Sequence, residues 1–261
     1  MSVGRVTGEV RAGVAELVFD NPARLNAINL AMSQEASSLI DAFAADARVR
    51  LLVVRGEGAS FVSGADISEF EALRAQPEAI ARYEAISQGM FLRLRAFPKP
   101  TLAMINGFCF GAGMGLAAAC DLRLAAQDAL FCVPAARLGI AYRPDFISWL
   151  MQIVGAARVK EILITARRYS AQEALAMGLV HQVTPANTFE ADVSAYVAAI
   201  AQNAPLSTLA SKRMVDEYAD PTRPPDAALC EALAQACLES ADYVEGRRAF
   251  MEKRRPDFKG E

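Results

Sequence analysis

Paired cysteines are missing from this chain. Cys109, Cys120, Cys132, Cys230 and Cys237 are odd in number, follow no metal-ligand spacing and sit mostly among apolar neighbours. That excludes a disulfide scaffold and predicts reduced core thiols in a cytoplasmic protein without a metal site. Clustered positive charge is missing too: 27 Lys and Arg stand against 30 Asp and Glu, giving a formal charge of −3, and no face gathers a basic stripe. Nucleic acid is thereby excluded as the main partner, because phosphate contacts need such an excess. Residues 1–9 hold no apolar run of secretory length, so export is not expected. Histidine is reduced to one residue, His181, in a short apolar stretch that reads as strand, and its expected role is structural.

One stretch does lack charge altogether. Residues 101–120 contain the Gly111-x-x-x-Gly115 spacing of a membrane helix pair. Gly107, Gly111, Gly113 and Gly115 crowd its middle, Asn106 interrupts it, and neither an aromatic belt nor a basic flank follows. A membrane span is therefore rejected in favour of a buried strand, a tight turn and a buried helix. At 53% hydrophobic and 22% charged, and with no linker or low-complexity stretch, the 261 residues read as one globular chain able to bury a large core.

What is present is a repeating alternation of strand, loop and helix. Strands are predicted over 15–19, 51–55, 101–105, 121–126 and 130–132, where β-branched or aliphatic runs end in turn residues. Asn29 is placed to cap an amphipathic helix over 30–45, with Met32, Ala36, Leu39, Ile40 and Phe43 at helical spacing. A second helix over 80–97 stops at Pro98-Lys-Pro100. Ser170-Ala-Gln-Glu173 forms a capping box, Gly178 suits the position after its helix, and 179–183 returns to strand. Beyond it, helices over 189–202, 207–219, 226–238 and 243–254 carry apolar stripes that need a cover. The fold class is α/β, with an expected core over 1–200 and a C-terminal helical oligomerisation region over 201–261.

Two glycine-bearing segments carry the chemistry: Phe61-Val-Ser-Gly-Ala-Asp-Ile-Ser-Glu69 and Asn106-Gly-Phe-Cys-Phe-Gly-Ala-Gly-Met-Gly-Leu116. In the first, Gly64 permits a backbone that other residues disfavour, and Asp66 can cap a helix beginning at Ile67. In the second, a glycine-rich turn opens a helix, which aims free N–H groups and the positive end of the helix dipole at one point. Close packing through small residues explains Gly113 and Gly115 but leaves the Asn106-Gly107 turn unexplained.

Together these segments resemble the enoyl-CoA hydratase/isomerase (crotonase) family, and the resemblance extends over nearly the whole chain. It implies the crotonase-like spiral of strand-strand-helix turns, with the N–H groups of Ala65 and Ala112 as paired donors to a thioester oxyanion. It further implies that Leu25 and Ala27, in the Arg24-Leu-Asn-Ala-Ile28 loop, and Ser63, Ala65, Asp66, Ile67 and Ser68 line the coenzyme A path. Phe250 and Lys253, in the segment over 242–258, are expected to reach the nucleotide, often that of a neighbouring subunit. The implied partner is an acyl-CoA thioester, with coenzyme A arriving as part of the substrate and no separate cofactor. The implied assembly is a homotrimer or a dimer of trimers.

Departures from the family pattern limit what the resemblance implies about reaction. Hydratases of the family carry two catalytic glutamates where this chain has Gly115 and Ala135, and neither residue can move a proton. Some isomerase and dehalogenase relatives place a carboxylate near the position of Arg143, and that is absent too. Tyr142 aligns with a tyrosine of methylmalonyl-CoA decarboxylases, although those enzymes have His in place of Ala65 and keep Glu in place of Gly115. Tyr142 and Arg143 are the candidate replacements, with Arg143 suited to a carboxylate-bearing acyl group. Against that stands a simpler reading in which Pro144 and Asp145 merely start a helix. The function expected is an acyl-CoA enzyme working through an enolate, by isomerisation, unconventional hydration or decarboxylation. The alternative is an acyl-CoA-binding protein without turnover.

Overall fold

Alternation along the short apolar runs sets the architecture, seen in a computed structural model that describes residues 4–68, 77–220 and 222–261. Strand β1 (Arg5–Arg11) turns back on β2 (Val14–Asp20) through Ala12 and Gly13, whose φ values of 48° and 82° suit a two-residue hairpin. To this pair β3 (Leu51–Gly56), β4 (Thr101–Ile105), β6 (Leu122–Ala126) and β9 (Gln182–Thr184) add in parallel, in the order β1-β2-β3-β4-β6-β9. Successive side chains of a strand face opposite sides. Leu52, Val54, Ala103, Ile105 and Ala125 join one core layer with α1 (Leu30–Ala45), α2 (Pro77–Arg95) and α3 (Ala112–Ala119). Leu51, Val53, Leu102, Leu124 and Ala126 face the other way and meet Phe189, Val193 and Val197 of α6 (Phe189–Ala201). A strand covered on both faces gains from an apolar residue at every position, which accounts for the unbroken run Leu51-Leu-Val-Val54.

A second sheet, β5 (Phe108–Phe110), β7 (Leu130–Cys132) and β8 (Tyr169–Ser170), stands beside the first in the order β5-β7-β8. The remaining helices are α4 (Pro144–Thr165), α5 (Ala171–Ala176), α7 (Pro205–Ala219), α8 (Ala227–Glu239) and α9 (Ala241–Glu252). This α/β arrangement agrees with the expected spiral and C-terminal helices.

The local signals act as read. Asn29 Oδ1 accepts from the Met32 N–H at 2.8 Å, and Ser170 and Glu173 cap each other's backbone N–H groups. Three expectations shift. The helix expected over 80–97 occupies Pro77–Arg95. The strand expected over 179–183 is β9, because the Leu179 carbonyl accepts from Arg123 Nε at 2.7 Å and pairing begins only with Leu124 opposite Gln182. The last helix starts at Ala241, capped by Ser240, and ends before Lys253, whose φ of 54° is left-handed. Strands β1 and β5 were not anticipated; the polar composition of the one and the three-residue length of the other hide them. Asp66 accepts from the Ser68 N–H at 3.1 Å, but the body of the helix expected after Ile67 lies outside the described residues.

The expected division after residue 200 falls in the last turn of α6, and polar contacts cross it. Asp121 Oδ2 receives Lys212 Nζ at 2.8 Å together with the N–H and hydroxyl of Thr101, while Arg50 donates to the carbonyls of Ala201 and Phe258. All five cysteines are unpaired, and burial pushes the Cys120 thiol up to about 12. Among the described residues no helix is long and apolar enough to cross a membrane. Because Lys212 is almost fully buried against Asp121, Lys212→Ala should lower stability by about 2 kcal/mol. Urea unfolding should show this as a lower midpoint at unchanged slope.

Candidate active site

Two loops leave the carboxyl ends of adjacent parallel strands, where α/β sheets place their ligands. The first follows β3 and the second follows β4. A parallel bridge joins them at Val62 and Cys109, with Val62 N–H donating to the Phe108 carbonyl at 2.9 Å and Phe110 N–H donating to the Val62 carbonyl at 3.0 Å. The approach is close enough to demand glycine: a Cβ on Gly113 would fall 2.2 Å from the Val62 carbonyl oxygen. Two residues on from the bridge, Gly64 at φ 136° and Gly111 at φ 50° lie near each other, since a Cβ on Gly111 would lie 3.8 Å from Gly64 Cα. Both conformations are costly for any residue with a side chain.

Each glycine precedes an amide with no backbone acceptor among the described residues, for two different reasons. Ala65 bridges Ile28 in parallel, so its neighbours make the bonds: Ile28 N–H to the Gly64 carbonyl at 2.9 Å and Asp66 N–H to the Ile28 carbonyl at 2.8 Å. The Ala65 N–H points away from that bridge. Ala112 is the first residue of α3, whose opening N–H groups have no partner within the helix.

The loop holding Leu25 and Ala27 belongs to the same cluster. Ser63 N–H donates to the Leu25 carbonyl at 3.1 Å and the Ser63 hydroxyl to the Arg24 carbonyl at 2.9 Å. Arg24 Nη1 meets Asp66 Oδ1 at 2.9 Å, and the same oxygen receives the Ser68 hydroxyl. The Asp66 side chain is therefore committed within the loop, whereas Leu25 and Ile67 stand 47% and 61% exposed beside it. Phe250 is 82% exposed on α9, and among the described residues no hydrogen bond or ring contact connects it or Lys253 to these loops.

Tyr142 reaches the second loop directly. Its hydroxyl donates to the Gly111 carbonyl at 2.8 Å, and burial pushes the phenol well above its usual value, with the nearby Cys109 thiol adding to the shift. Arg143 occupies the N-cap position of α4 with no capping hydrogen bond; its Nη2 stands 4.0 Å from Asp145 Oδ2, and its buried Nε has no hydrogen-bond partner among the described residues. Asp145 is held instead by Gln88 Nε2 at 2.7 Å.

Sequence reasoning missed Phe146. A Cβ on Gly115 would come within 2.6 Å of its ring, so the ring occupies the space a side chain at 115 would enter. Phe91 packs edge-on to Phe146 at 4.6 Å, with Tyr142 at 5.3 Å and Trp149 at 5.5 Å. Ala135, the other position where the resemblance implied a glutamate in relatives, is buried at the start of a short 3-10 helix near the Gly111 turn, where Pro134 Cδ would be 3.9 Å from a Cβ on Gly111. Aromatic spacing at 142, 146 and 149 was the available signal; contact with Gly115 is tertiary and leaves no trace in a single sequence. His181 serves structure, its Nδ1 accepting from the Arg123 N–H at 3.1 Å.

Two amides without a backbone acceptor among the described residues, beside an aromatic cluster and set on an α/β core, are suited to an oxygen that gains negative charge. Residues 9–261 match the enoyl-CoA hydratase/isomerase family, and the chain belongs to it. It is 33% identical over 262 residues to a protein named probable enoyl-CoA hydratase from Rhodobacter capsulatus, covering 100% of both. It is 33% identical to a crotonyl-CoA hydratase from Syntrophomonas wolfei, covering 99% of each. The crystal structure of an enoyl-CoA hydratase/carnithine racemase from Magnetospirillum magneticum superposes with a TM-score of 0.93 at 33% identity, over 100% of this chain and 97% of that one. The family acts on acyl-CoA thioesters.

The exchange at Gly115 is testable. Helix propensity alone would favour Ala there by about 1 kcal/mol, yet a methyl group must displace the Phe146 ring, and overpacking costs about 1–3 kcal/mol. Gly115→Ala should therefore destabilise, and the loss should shrink or reverse in a Phe146→Ala background. A double-mutant cycle from denaturant midpoints measures that coupling.

Proposed function

We propose that this chain binds an acyl-CoA thioester with its carbonyl oxygen between the N–H groups of Ala65 and Ala112, which stabilise the enolate formed when a bond at the α-carbon breaks. The observation that supports this best is that two amides, each without a backbone acceptor among the described residues and for unrelated reasons, follow neighbouring glycines. Such a donor is worth roughly 3 kcal/mol in the transition state. The exposed Leu25 and Ile67 suit the apolar part of the pantetheine arm, with Ala27 and the backbone of Ser63 to Ser68 along the nucleotide path. In this reading Phe250 and Lys253 serve the nucleotide of a neighbouring subunit, in a cytoplasmic homotrimer or dimer of trimers.

The reaction follows from what the pocket lacks. Hydration needs one group to activate water and one to protonate carbon, and neither Gly115 nor Ala135 can do either. Loss of carbon dioxide asks least of the absent groups. The bond from the α-carbon to the carboxylate breaks, its electron pair enters the enolate, and no base is required. A proton from water then completes the product. The unpartnered Nε of Arg143 supports that residue as the anchor for an acyl carboxylate.

Calorimetry should detect coenzyme A thioesters and not the matching free acids. Crotonyl-CoA hydration should be slow, because each missing acid or base typically forfeits roughly 10²- to 10⁴-fold. Rapid hydration would overturn the reading, and a broad acyl-CoA panel that binds without turnover would leave a binding protein. Arg143→Ala should weaken malonyl-type thioesters roughly tenfold or more and leave butyryl-CoA little changed. Equal losses for both would return Arg143 to a helix-start role. For the assembly, light scattering should give at least about three times the 28.0 kDa of one chain.

A further inference from the structure

The Gly111 carbonyl and the Ala112 N–H are the two ends of one peptide unit, so whatever holds the carbonyl also aims the amide. Gly111 sits at φ 50° and ψ −107°, outside any regular structure, and its side-chain-free backbone does little to fix that plane. Two donors converge on its oxygen. One is the first helical bond of α3, from the Gly115 N–H at a long 3.2 Å. The other is the Tyr142 hydroxyl at 2.8 Å, from 31 residues further along the chain. The tyrosine is itself held, its ring 5.3 Å from that of Phe146.

We propose that Tyr142 is a positioning residue for the second donor: its hydroxyl fixes the plane of the Gly111–Ala112 peptide and polarises it, making the Ala112 N–H a pre-aimed and stronger donor. The inference rests on the reading that this N–H faces the thioester oxygen. Hydrogen bonds in series strengthen one another, because accepting a proton at the carbonyl end draws electron density from the amide nitrogen. A donor fixed in advance also spares the reorganisation that weakens a mobile one. The same geometry separates Tyr142 from a proton-carrying role. A carbonyl can only accept, so the phenolic proton is engaged in this bond, and handing it to a substrate would release the peptide it holds.

Tyr142→Phe tests this, because it deletes one oxygen while retaining the ring, and the Gly111 carbonyl keeps the Gly115 N–H. The probe is acetoacetyl-CoA, whose enolate is distinguished from the keto form by its near-ultraviolet absorbance. The wild-type protein should raise the enolate fraction of the bound ligand above that in solution. Tyr142→Phe should lower the enol-to-keto ratio of the bound ligand by roughly tenfold, a fraction of what losing a whole donor costs, while the dissociation constant of free coenzyme A stays unchanged. Tyr142→Met, which fills the space without a hydroxyl, should show the same split. A general loosening of the fold would weaken coenzyme A as well, and that result in both variants would overturn the proposal. So would an unchanged enolate ratio in Tyr142→Phe with the wild type still enolising its ligand. A wild-type protein that binds acetoacetyl-CoA but leaves its enolate fraction as in solution, or that does not bind it, would instead sink the donor-pair reading and this inference with it.

Discussion

A folded chain uses nearly every buried backbone amide in its own hydrogen bonds, so an amide can serve a substrate only where the fold declines to use it. That constraint organises this molecule. Strand pairing releases the Ala65 N–H because a parallel bridge engages alternate amides, and helix geometry releases the Ala112 N–H because a first turn has no preceding carbonyls. Bringing the two together requires the loops after β3 and β4 to touch backbone to backbone. The absence of a side chain at Gly113, 2.2 Å from the Val62 carbonyl at its Cβ position, makes room for that. The parallel sheet beneath fixes the ends of both strands, and the strands fix the loops.

The aromatic cluster beside the Gly111–Ala112 turn has an unusual balance. An aromatic wall of Phe91, Tyr142, Phe146 and Trp149 lowers the local dielectric, which strengthens any hydrogen bond to a developing charge. The same wall would make an isolated carboxylate costly, because burial of an unpaired charge raises its pKa or expels it. The Phe146 ring fills the space beside Gly115, so placing an acid at that position would require removing aromatic packing as well. In the proposed function, such a site would concentrate its stabilisation on the oxyanion and leave proton movement to other groups.

Features that depend on neighbours in sequence were legible. Asn29, the Ser170–Glu173 box and the proline that opens α4 each act through residues within four positions, and each stands where local chemistry places it. Features set by long-range pairing were not. Strand β1 contains three charged residues and a glycine in seven, and its identity comes only from pairing with β2. Strand β5 exists because the Val62 backbone and β7 flank it. The role of Tyr142 changed most between the two levels. From sequence it was a phenol beside an arginine, whereas its contact with Gly111 spans 31 residues and two elements. The glycine motif marked the turns, but the reasons the Ala65 and Ala112 amides lack a backbone acceptor among the described residues, a bridge to Ile28 and a helix start, belong to the folded structure.

The C-terminal helices extend the same logic to the surface. Their polar groups turn inward on the chain's own tail: Asp242 accepts from the N–H groups of Lys259 and Gly260, and Glu245 accepts from Arg248, Arg254 and the Asp257 N–H. With those bonds satisfied internally, apolar side chains are left outside, among them Val215, Tyr218, Val244, Phe250 and Met251, each more than 60% exposed. Scattered exposure of this kind is ordinary, and these side chains lie on α7 and α9. Burial of such a face against another copy is worth roughly 25 cal/mol per Å² of apolar surface. This apolar surface is what the proposed assembly, with a neighbour completing the distal end of the nucleotide path, would bury.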